Sequence, residues 1–127
     1  MENQLPAQDN LSTKSTDSLL NLATESWRFA KVFIRAISKI DSAEQGRFIN
    51  QYRYYIKQLE DILSSEGLRL VNLEGQQYDP GTAATALNLD EFLPEDVLVV
   101  EQMLEPLIMN DDGILKAGTV LVRKVML

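Results

Sequence analysis

The sequence predicts an α+β fold, in which a helical hairpin precedes a small β domain. Residues 18–66 repeat apolar side chains at helical spacing, whereas from residue 67 onward short β-like runs alternate with Gly, Pro, Asn and Asp. The net charge changes at the same place, from +1 over residues 18–66 to −6 over residues 67–127. With 127 residues, 45% of them apolar, the chain has room for one domain, or for one small domain with a helical appendage.

Residues 1–17 are predicted to form a disordered tail. They hold three acidic groups, one basic group and few large apolar side chains, with no sustained period. Such a segment buries too little apolar surface to offset the entropy of ordering it. Thr16, Asp17 and Ser18 can accept hydrogen bonds from free backbone N–H groups, so the first helix is predicted to begin there.

The first helix is predicted to run to about Ile40 and to be apolar over more than half of its circumference. One apolar stripe follows alternating steps of three and four residues, which is typical of a bundle seam. Its members are Leu20, Ala23, Trp27, Ala30, Ile34 and Ile37. A second stripe beside it comprises Leu19, Leu22, Phe29, Phe33 and Ile40. Two adjacent apolar stripes require this helix to contact more than one neighbour.

The second helix is predicted to begin after an N-cap at Asp41 or Ser42 and to reach Ser65 or Glu66, with Gly67 as its stop. Its seam consists of Ile49, Tyr52, Ile56, Leu59 and Leu63. Two such helices form an antiparallel hairpin, in which the outer apolar stripes stay exposed to water. A homodimeric four-helix bundle is therefore expected, because it would bury these stripes. The dimerisation residues are then Leu20, Trp27, Ile34, Ile37, Ile49, Tyr52, Ile56 and Leu59. In the alternative, the β part covers the same surface within one chain.

The β domain is predicted to occupy residues 67–127. Residues 68–73 and 96–105 have the composition of strands, and Pro106 interrupts or ends the second one. The turn residues 110–113 indicate a hairpin, because Asp-Gly readily adopts positive φ. Residues 119–125 then close the sheet.

Composition excludes several classes of function. Without Cys or His, the chain has no thiolate nucleophile, imidazole base, zinc finger or disulfide. A net charge of −7 disfavours nucleic acid as a partner. The acidic residues Asp90, Glu91, Glu95 and Asp96 lack the ligand spacing of a cation site and are predicted to be a solvated rim. We therefore expect no enzyme activity, metal or cofactor, and a binding or scaffolding role.

No stretch of the sequence has the length and apolarity of a membrane span or of a signal peptide. A cytoplasmic location without membrane contact is therefore expected.

Four segments follow one another in the order of a known protein family. LEDILSSEGL at residues 59–68 is similar to a leucine-rich helix end that meets a Gly and an aliphatic residue. Next come Tyr78-Asp79-Pro80, then VLVVEQ at residues 97–102, and then GILKAGTVLV at residues 113–122. From about residue 20 to its end, the chain thereby resembles the GrpE family, the nucleotide exchange factors of DnaK-type chaperones.

The chain departs from the family pattern at several points. Ala83-Ala84-Thr85-Ala86 stands where the family usually has His-Glu-Ala, and residues 103–106 replace a Gly-Tyr pair. A basic residue of the family's hairpin aligns with Gly113, although Lys116 keeps the next basic position. Only some 20 residues precede the bundle helices, so the family's long helical stalk is shortened.

The resemblance implies a homodimeric co-chaperone, active in the stress response, whose β wing binds the nucleotide-binding domain of a DnaK-type chaperone. It implies that binding promotes ADP release, through contacts of Glu101, Gln102, Asp112, Lys116 and Val122. Asp79 and Pro80 are assigned to structure, as a loop anchor. The alternative is a dimeric scaffold or regulator that has kept this fold without exchange activity.

Overall fold

In the computed structural model, which describes residues 4–126, two long helices precede a β-rich region. Helix α1 spans Gln4–Ile37 and helix α2 spans Ser42–Ser65. The two helices pack against each other as a hairpin. This arrangement confirms the predicted α+β fold of a helical pair followed by strands.

Helix α1 is longer than the sequence predicts. It begins at Gln4, so residues 4–17 continue the helix where the sequence predicts a tail, and residues 1–3 lie outside the described residues. Pro6 falls in the first turn, where backbone N–H groups have no intrahelical partner. Between Pro6 and residue 17 the chain contains no further Pro and no Gly. An existing helix can therefore extend through these residues, gaining one hydrogen bond per residue without a second nucleation step.

Both ends of α2 follow the predicted chemistry. At the start, the Asp41 carboxylate accepts a hydrogen bond from the Ala43 N–H at 3.2 Å. At the end, Gly67 adopts a φ of +74°. Its N–H donates to the Ser64 carbonyl and the Leu68 N–H donates to the Leu63 carbonyl, both at 2.9 Å. These bonds satisfy the last carbonyls of the helix and turn the chain into the β domain.

The β-rich region contains two sheets. One sheet has the order β1-β5-β6, and the other the order β2-β4-β7-β3. All pairs are antiparallel except β3 with β7. The strands are β1 Arg69–Val71, β2 Gln77–Tyr78, β3 Ala84–Ala86, β4 Leu98–Glu105, β5 Leu107–Asn110, β6 Gly113–Lys116 and β7 Gly118–Lys124; a 3₁₀ turn covers Leu89–Glu91.

One long bent hairpin joins the two sheets. Strands β4 and β5 are separated only by Pro106, which is fully buried, and β6 and β7 only by Ala117. The predicted turn is confirmed: Asn110 pairs with Gly113, and the Asn110 side-chain oxygen accepts from the Asp112 N–H at 2.9 Å. The hairpin therefore contributes β4 and β7 to one sheet and β5 and β6 to the other.

The core lies between the helices and the β domain. Trp27 of α1 packs in a buried cluster with residues of β4 and β7, including Val100, Met103 and Val120. A second cluster joins Leu20 of α1 to residues that include Ile108 of β5. The β domain of the same chain thus covers much of the first apolar stripe of α1, including Leu20 and Trp27, while Leu22 and Phe29 of the second stripe stay exposed.

Candidate protein-interaction surfaces

The predicted contact residues Glu101 and Gln102 lie at an irregularity of β4. Val100 pairs with Val122 and Gln102 with Leu121, so Glu101 is an extra residue without a partner on β7. Such a β-bulge bends the strand and redirects its side chains. Glu101 is exposed, while Gln102 is half-buried beside Arg35 of α1. With its amide oxygen turned toward Arg35, Gln102 accepts hydrogen bonds from Nη2 at 2.5 Å and from Nε at 3.3 Å.

Asp112 and Lys116 lie at the tip and along the outer strand of the bent hairpin. Strand β6 is an edge strand, and its register shifts where Leu115 is inserted opposite Ile108 and Met109 of β5. The shift breaks the alternation of faces, and the consecutive side chains of Ile114 and Leu115 are both exposed. The tip therefore presents two aliphatic side chains between an acidic and a basic residue.

Val122 is a core residue and not a surface residue. Its side chain is 1% exposed and belongs to the cluster around Trp27. A partner cannot reach it in this conformation, so the structure removes Val122 from the predicted contact set. The remaining residues form two separate groups, Glu101 with Gln102 in one sheet and Asp112 with Lys116 in the other, on opposite sides of Pro106.

A basic stripe of α1 faces the β domain. Lys31 pairs with Glu74 at 3.2 Å and lies 5.1 Å from the centre of the Trp27 ring. The other carboxylate oxygen of Glu74 accepts from the Met103 N–H at 3.0 Å. Arg28, one turn earlier, lies 3.6 Å from Glu105 of β4. These polar contacts connect the helix to β4 around the buried Trp27.

A groove of about 540 Å³ runs beside this stripe, between α1 and the β domain. From α1 it is lined by Arg28, Lys31, Val32 and Arg35. From the β domain it is lined by Leu87, Leu104, Glu105 and Thr119. A smaller neighbouring groove of about 360 Å³ shares Lys31 and Arg35, and Glu101 and Gln102 lie in its wall. The two grooves join the helix to the predicted contact residues of β4.

The outer face of the helical hairpin is apolar and exposed. Phe29 is 70% exposed, and the large side chains of Leu22, Tyr54 and Ile62 are exposed as well. Between the helices, a groove of about 460 Å³ is lined mainly by aromatic residues, among them Phe33, Tyr52 and Tyr55. This face carries the second stripe that the sequence analysis identified on α1.

The predicted dimerisation residues are mostly covered within the single chain. Leu20, Trp27 and Ile37 are buried, and Ile34, Ile49, Tyr52, Ile56 and Leu59 are half-buried. A second chain cannot reach the three buried side chains in this conformation. Any contact between copies of the helical hairpin would instead involve the outer face, with Phe29 and Leu22.

The acidic loop after the 3₁₀ turn is held by its own contacts. Asp96 accepts a hydrogen bond from the Leu93 N–H at 2.9 Å and pairs with Lys124 at 3.3 Å. The backbone hydrogen bond from Leu93, together with Lys124, lowers the pKa of Asp96 below its ordinary value. Among the described residues, no group of three or more acidic side chains is arranged to hold a metal ion.

Two polar side chains fix the loops between the strands. Asp79 accepts from the Gly81 N–H at 2.8 Å, and its own N–H donates to the Thr82 hydroxyl at 3.0 Å, as its assignment to a loop anchor predicts. Asn88 contacts both backbone groups of Val122, which sequence reasoning missed. The residues beside Asn88 in the sequence gave no local signal of this role.

No helix in the described part of the chain is long and apolar enough to cross a membrane. Comparison with protein-family models, with curated proteins and with solved structures found no match to the chain.

Proposed function

We propose that this protein is a GrpE-like co-chaperone that binds the nucleotide-binding domain of a DnaK-type chaperone and promotes the release of ADP. Two lines of evidence support the proposal. The first is the order of the four family-like segments along the sequence. The second is the order of the elements, in which a β domain follows a helical pair. The two parts meet at the Gly67 cap without an intervening linker.

The observation that carries the proposal is the exposed tip of the bent hairpin. Ile114 and Leu115 offer an aliphatic centre, and Asp112 and Lys116 flank it with charges of both signs. An apolar patch with a polar rim is typical of a protein-binding surface. The tip stands on β5 and β6, and the buried Pro106 and Ile108 anchor these strands in the core.

In this mechanism, the protein acts only through its relative affinity for two conformers of the chaperone. An exchange factor that binds the open nucleotide cleft more tightly than the closed one increases the population of the open state. ADP then dissociates without contact with the exchange factor. The mechanism requires no catalytic group or phosphate-binding loop on this chain.

We further propose that the protein is a homodimer in the cytoplasm, joined through the outer face of the helical hairpin. A second copy would cover Leu22, Phe29 and Ile62, which water contacts in the single chain. Burial of such side chains favours association, at about 25 cal/mol per Å² of apolar surface removed from water.

A dimeric scaffold without exchange activity is the second candidate. One observation favours it: the position of a basic residue in the family's hairpin is held by Gly113, whose φ is +137°. Residues other than glycine rarely adopt this backbone conformation. A basic residue at this position would therefore require the turn to change. Such a protein would bind the chaperone without accelerating ADP release.

Nucleotide release distinguishes these candidates. The purified protein is mixed with a DnaK-type chaperone from the same organism, loaded with fluorescent ADP, and release is followed by stopped flow. Acceleration that saturates with protein concentration supports exchange, whereas binding without acceleration supports the scaffold. We expect Glu101→Lys and Lys116→Glu each to weaken binding about tenfold, since both residues are assigned to the contact. Wild-type affinity in both variants would contradict this assignment.

A further inference from the structure

The groove between α1 and the β domain combines cationic side chains with exposed aliphatic side chains. Val32 is 57% exposed and Leu87 59% exposed, on opposite sides of the groove. Leu104 also lines the groove. The groove has a volume of about 540 Å³, which is in the range of pockets that receive several side chains or a small ligand.

Arg35 forms no ion pair with another described side chain. Among the side chains that the structure describes, its guanidinium contacts the neutral amide of Gln102 and has no carboxylate partner. Arginine binds carboxylates through two parallel hydrogen bonds, a geometry that a single amide oxygen does not satisfy. Arg35 can therefore accept an acidic group from outside the chain.

Arg28 can also change partners at little cost. It lies 3.5 Å from Glu25 and 3.6 Å from Glu105, and its side chain is exposed. Exposed ion pairs of this kind contribute little to stability, so an incoming carboxylate can replace one of them. Lys31 is different, because it is partly buried against Glu74 and Trp27. The available cations are thus Arg28 and Arg35, two turns apart on α1.

The occupant that fits this groove is an acidic and aliphatic segment of a protein. Carboxylates would meet Arg28 and Arg35, while aliphatic side chains would meet Val32 and Leu87. Nucleic acid fits poorly, because a phosphate backbone needs cations along its length, whereas the groove offers only Arg28 and Arg35 and the whole chain carries a net charge of −7. The groove also continues through Arg35 to Glu101 and Gln102, which are already assigned to the contact with the chaperone.

We propose that the groove centred on Arg35 binds an acidic and aliphatic segment of the chaperone's nucleotide-binding domain, so that the contact surface extends from β4 onto helix α1. This inference rests on the proposed function. It adds a second element to the contact, since the resemblance to the family places contact residues only in the β wing.

The test compares three variants in binding to the isolated nucleotide-binding domain of a DnaK-type chaperone from the same organism, measured by calorimetry. Arg35→Glu should raise the Kd about tenfold, and Arg35→Gln about threefold, because the second change removes charge without repulsion. Arg53→Glu makes the same charge change at an exposed position of α2 outside the grooves, and should leave the Kd within twofold. Circular dichroism establishes that each variant is folded.

The outcomes separate the inference from the proposed function. If the wild type binds and accelerates ADP release but both Arg35 variants bind as tightly as it does, the groove inference is overturned and the function stands. If Arg53→Glu weakens binding as much as Arg35→Glu, the effect is one of net charge, and the inference is again overturned. If the wild type binds without accelerating ADP release, exchange activity is excluded. The Kd values of the Arg35 variants then still show whether the groove takes part in binding. If the wild type does not bind the domain, both proposals fail.

Discussion

Asn88 shows how a single side chain completes a sheet. Beyond the end of β3, its Nδ2 donates to the Val122 carbonyl at 2.8 Å, and its Oδ1 accepts from the Val122 N–H at 3.0 Å. The amide thereby takes the place of one more backbone pairing along β7. Because Val122 is buried, its two backbone groups have little access to water once Asn88 is removed.

We therefore expect Asn88→Ala to lower the free energy of unfolding by about 2–3 kcal/mol, since two polar groups lose their partner. Urea denaturation followed by circular dichroism measures this change. Asn50→Ala, at an exposed position of α2, is the control and should change the free energy by less than about 0.5 kcal/mol. Equal effects of the two substitutions would show that Asn88 does not complete the sheet.

Asp96 predicts a pH dependence of stability. Its hydrogen bond from Leu93 and its pairing with Lys124 lower its pKa in the folded state. A carboxyl group with a lowered folded pKa stabilises the protein above its unfolded pKa of about 3.9, and this contribution is lost as the pH falls through the folded value. Asp96→Asn should therefore lower Tm at pH 7.

The difference in Tm between wild type and Asp96→Asn should stay constant above about pH 5 and should shrink as the pH falls through the lowered pKa of Asp96 in the folded state. Differential scanning calorimetry over this range measures it. Asp90→Asn, in the preceding 3₁₀ turn and exposed, is the matched control and should follow the wild type throughout. A gap that grows as the pH falls would have the wrong sign for a lowered pKa.

At the scale of the elements, the bent hairpin depends on a close approach of β7 to β4. A Cβ atom at Gly118 would lie 2.9 Å from Cε of Met103 and 3.3 Å from the Glu105 carbonyl oxygen. The methionine end can move, but the backbone carbonyl beside the buried Pro106 has little room to do so.

Gly118→Ala should therefore destabilise the fold by about 1–3 kcal/mol, the usual cost of overpacking. Gly46→Ala is the matched control, because nothing lies within 4 Å of a Cβ at this helical position. It should stabilise the protein by about 0.5–1 kcal/mol, as alanine favours the helix. Urea unfolding measures the change in the free energy of unfolding in both variants. A stabilising effect of Gly118→Ala would contradict this account of the bend.

Local chemistry made part of the fold predictable from the sequence. The α2 caps at Asp41 and Gly67 and the turn before Gly113 were predicted, because each depends on a few adjacent residues. The start of α1 and the bulge at Glu101 depend on the rest of the structure, and the sequence did not indicate them.

The error at Val122 has a specific origin. Residues 120–122 of β7 are all apolar, so their composition does not say which side chains point inward. The exposed Arg123 was the available signal, because alternation then places Leu121 outward and Val122 inward. For α1, both apolar stripes were recognised, but only the position of the β domain decides which of them is covered.

At the scale of the whole molecule, two of the exposed apolar surfaces are assigned different partners. The outer face of the helical hairpin, with Phe29, is proposed to contact a second copy of the chain. The hairpin tip, with Ile114, is proposed to contact the chaperone. The two surfaces lie on different elements, so a charge placed on one should not affect the function of the other.

Phe29→Glu should convert the proposed dimer to a monomer, because a carboxylate at this 70% exposed position would have to be buried in the interface. Ile114→Glu places the same charge at a 54% exposed position on β6 and should leave the dimer intact. Multi-angle light scattering measures the mass of each variant, and calorimetry measures its affinity for the nucleotide-binding domain. We expect Ile114→Glu to bind the chaperone at least about tenfold more weakly as a dimer. If Ile114→Glu became monomeric, or if Phe29→Glu stayed dimeric, the assignment of partners to the two surfaces would be incorrect.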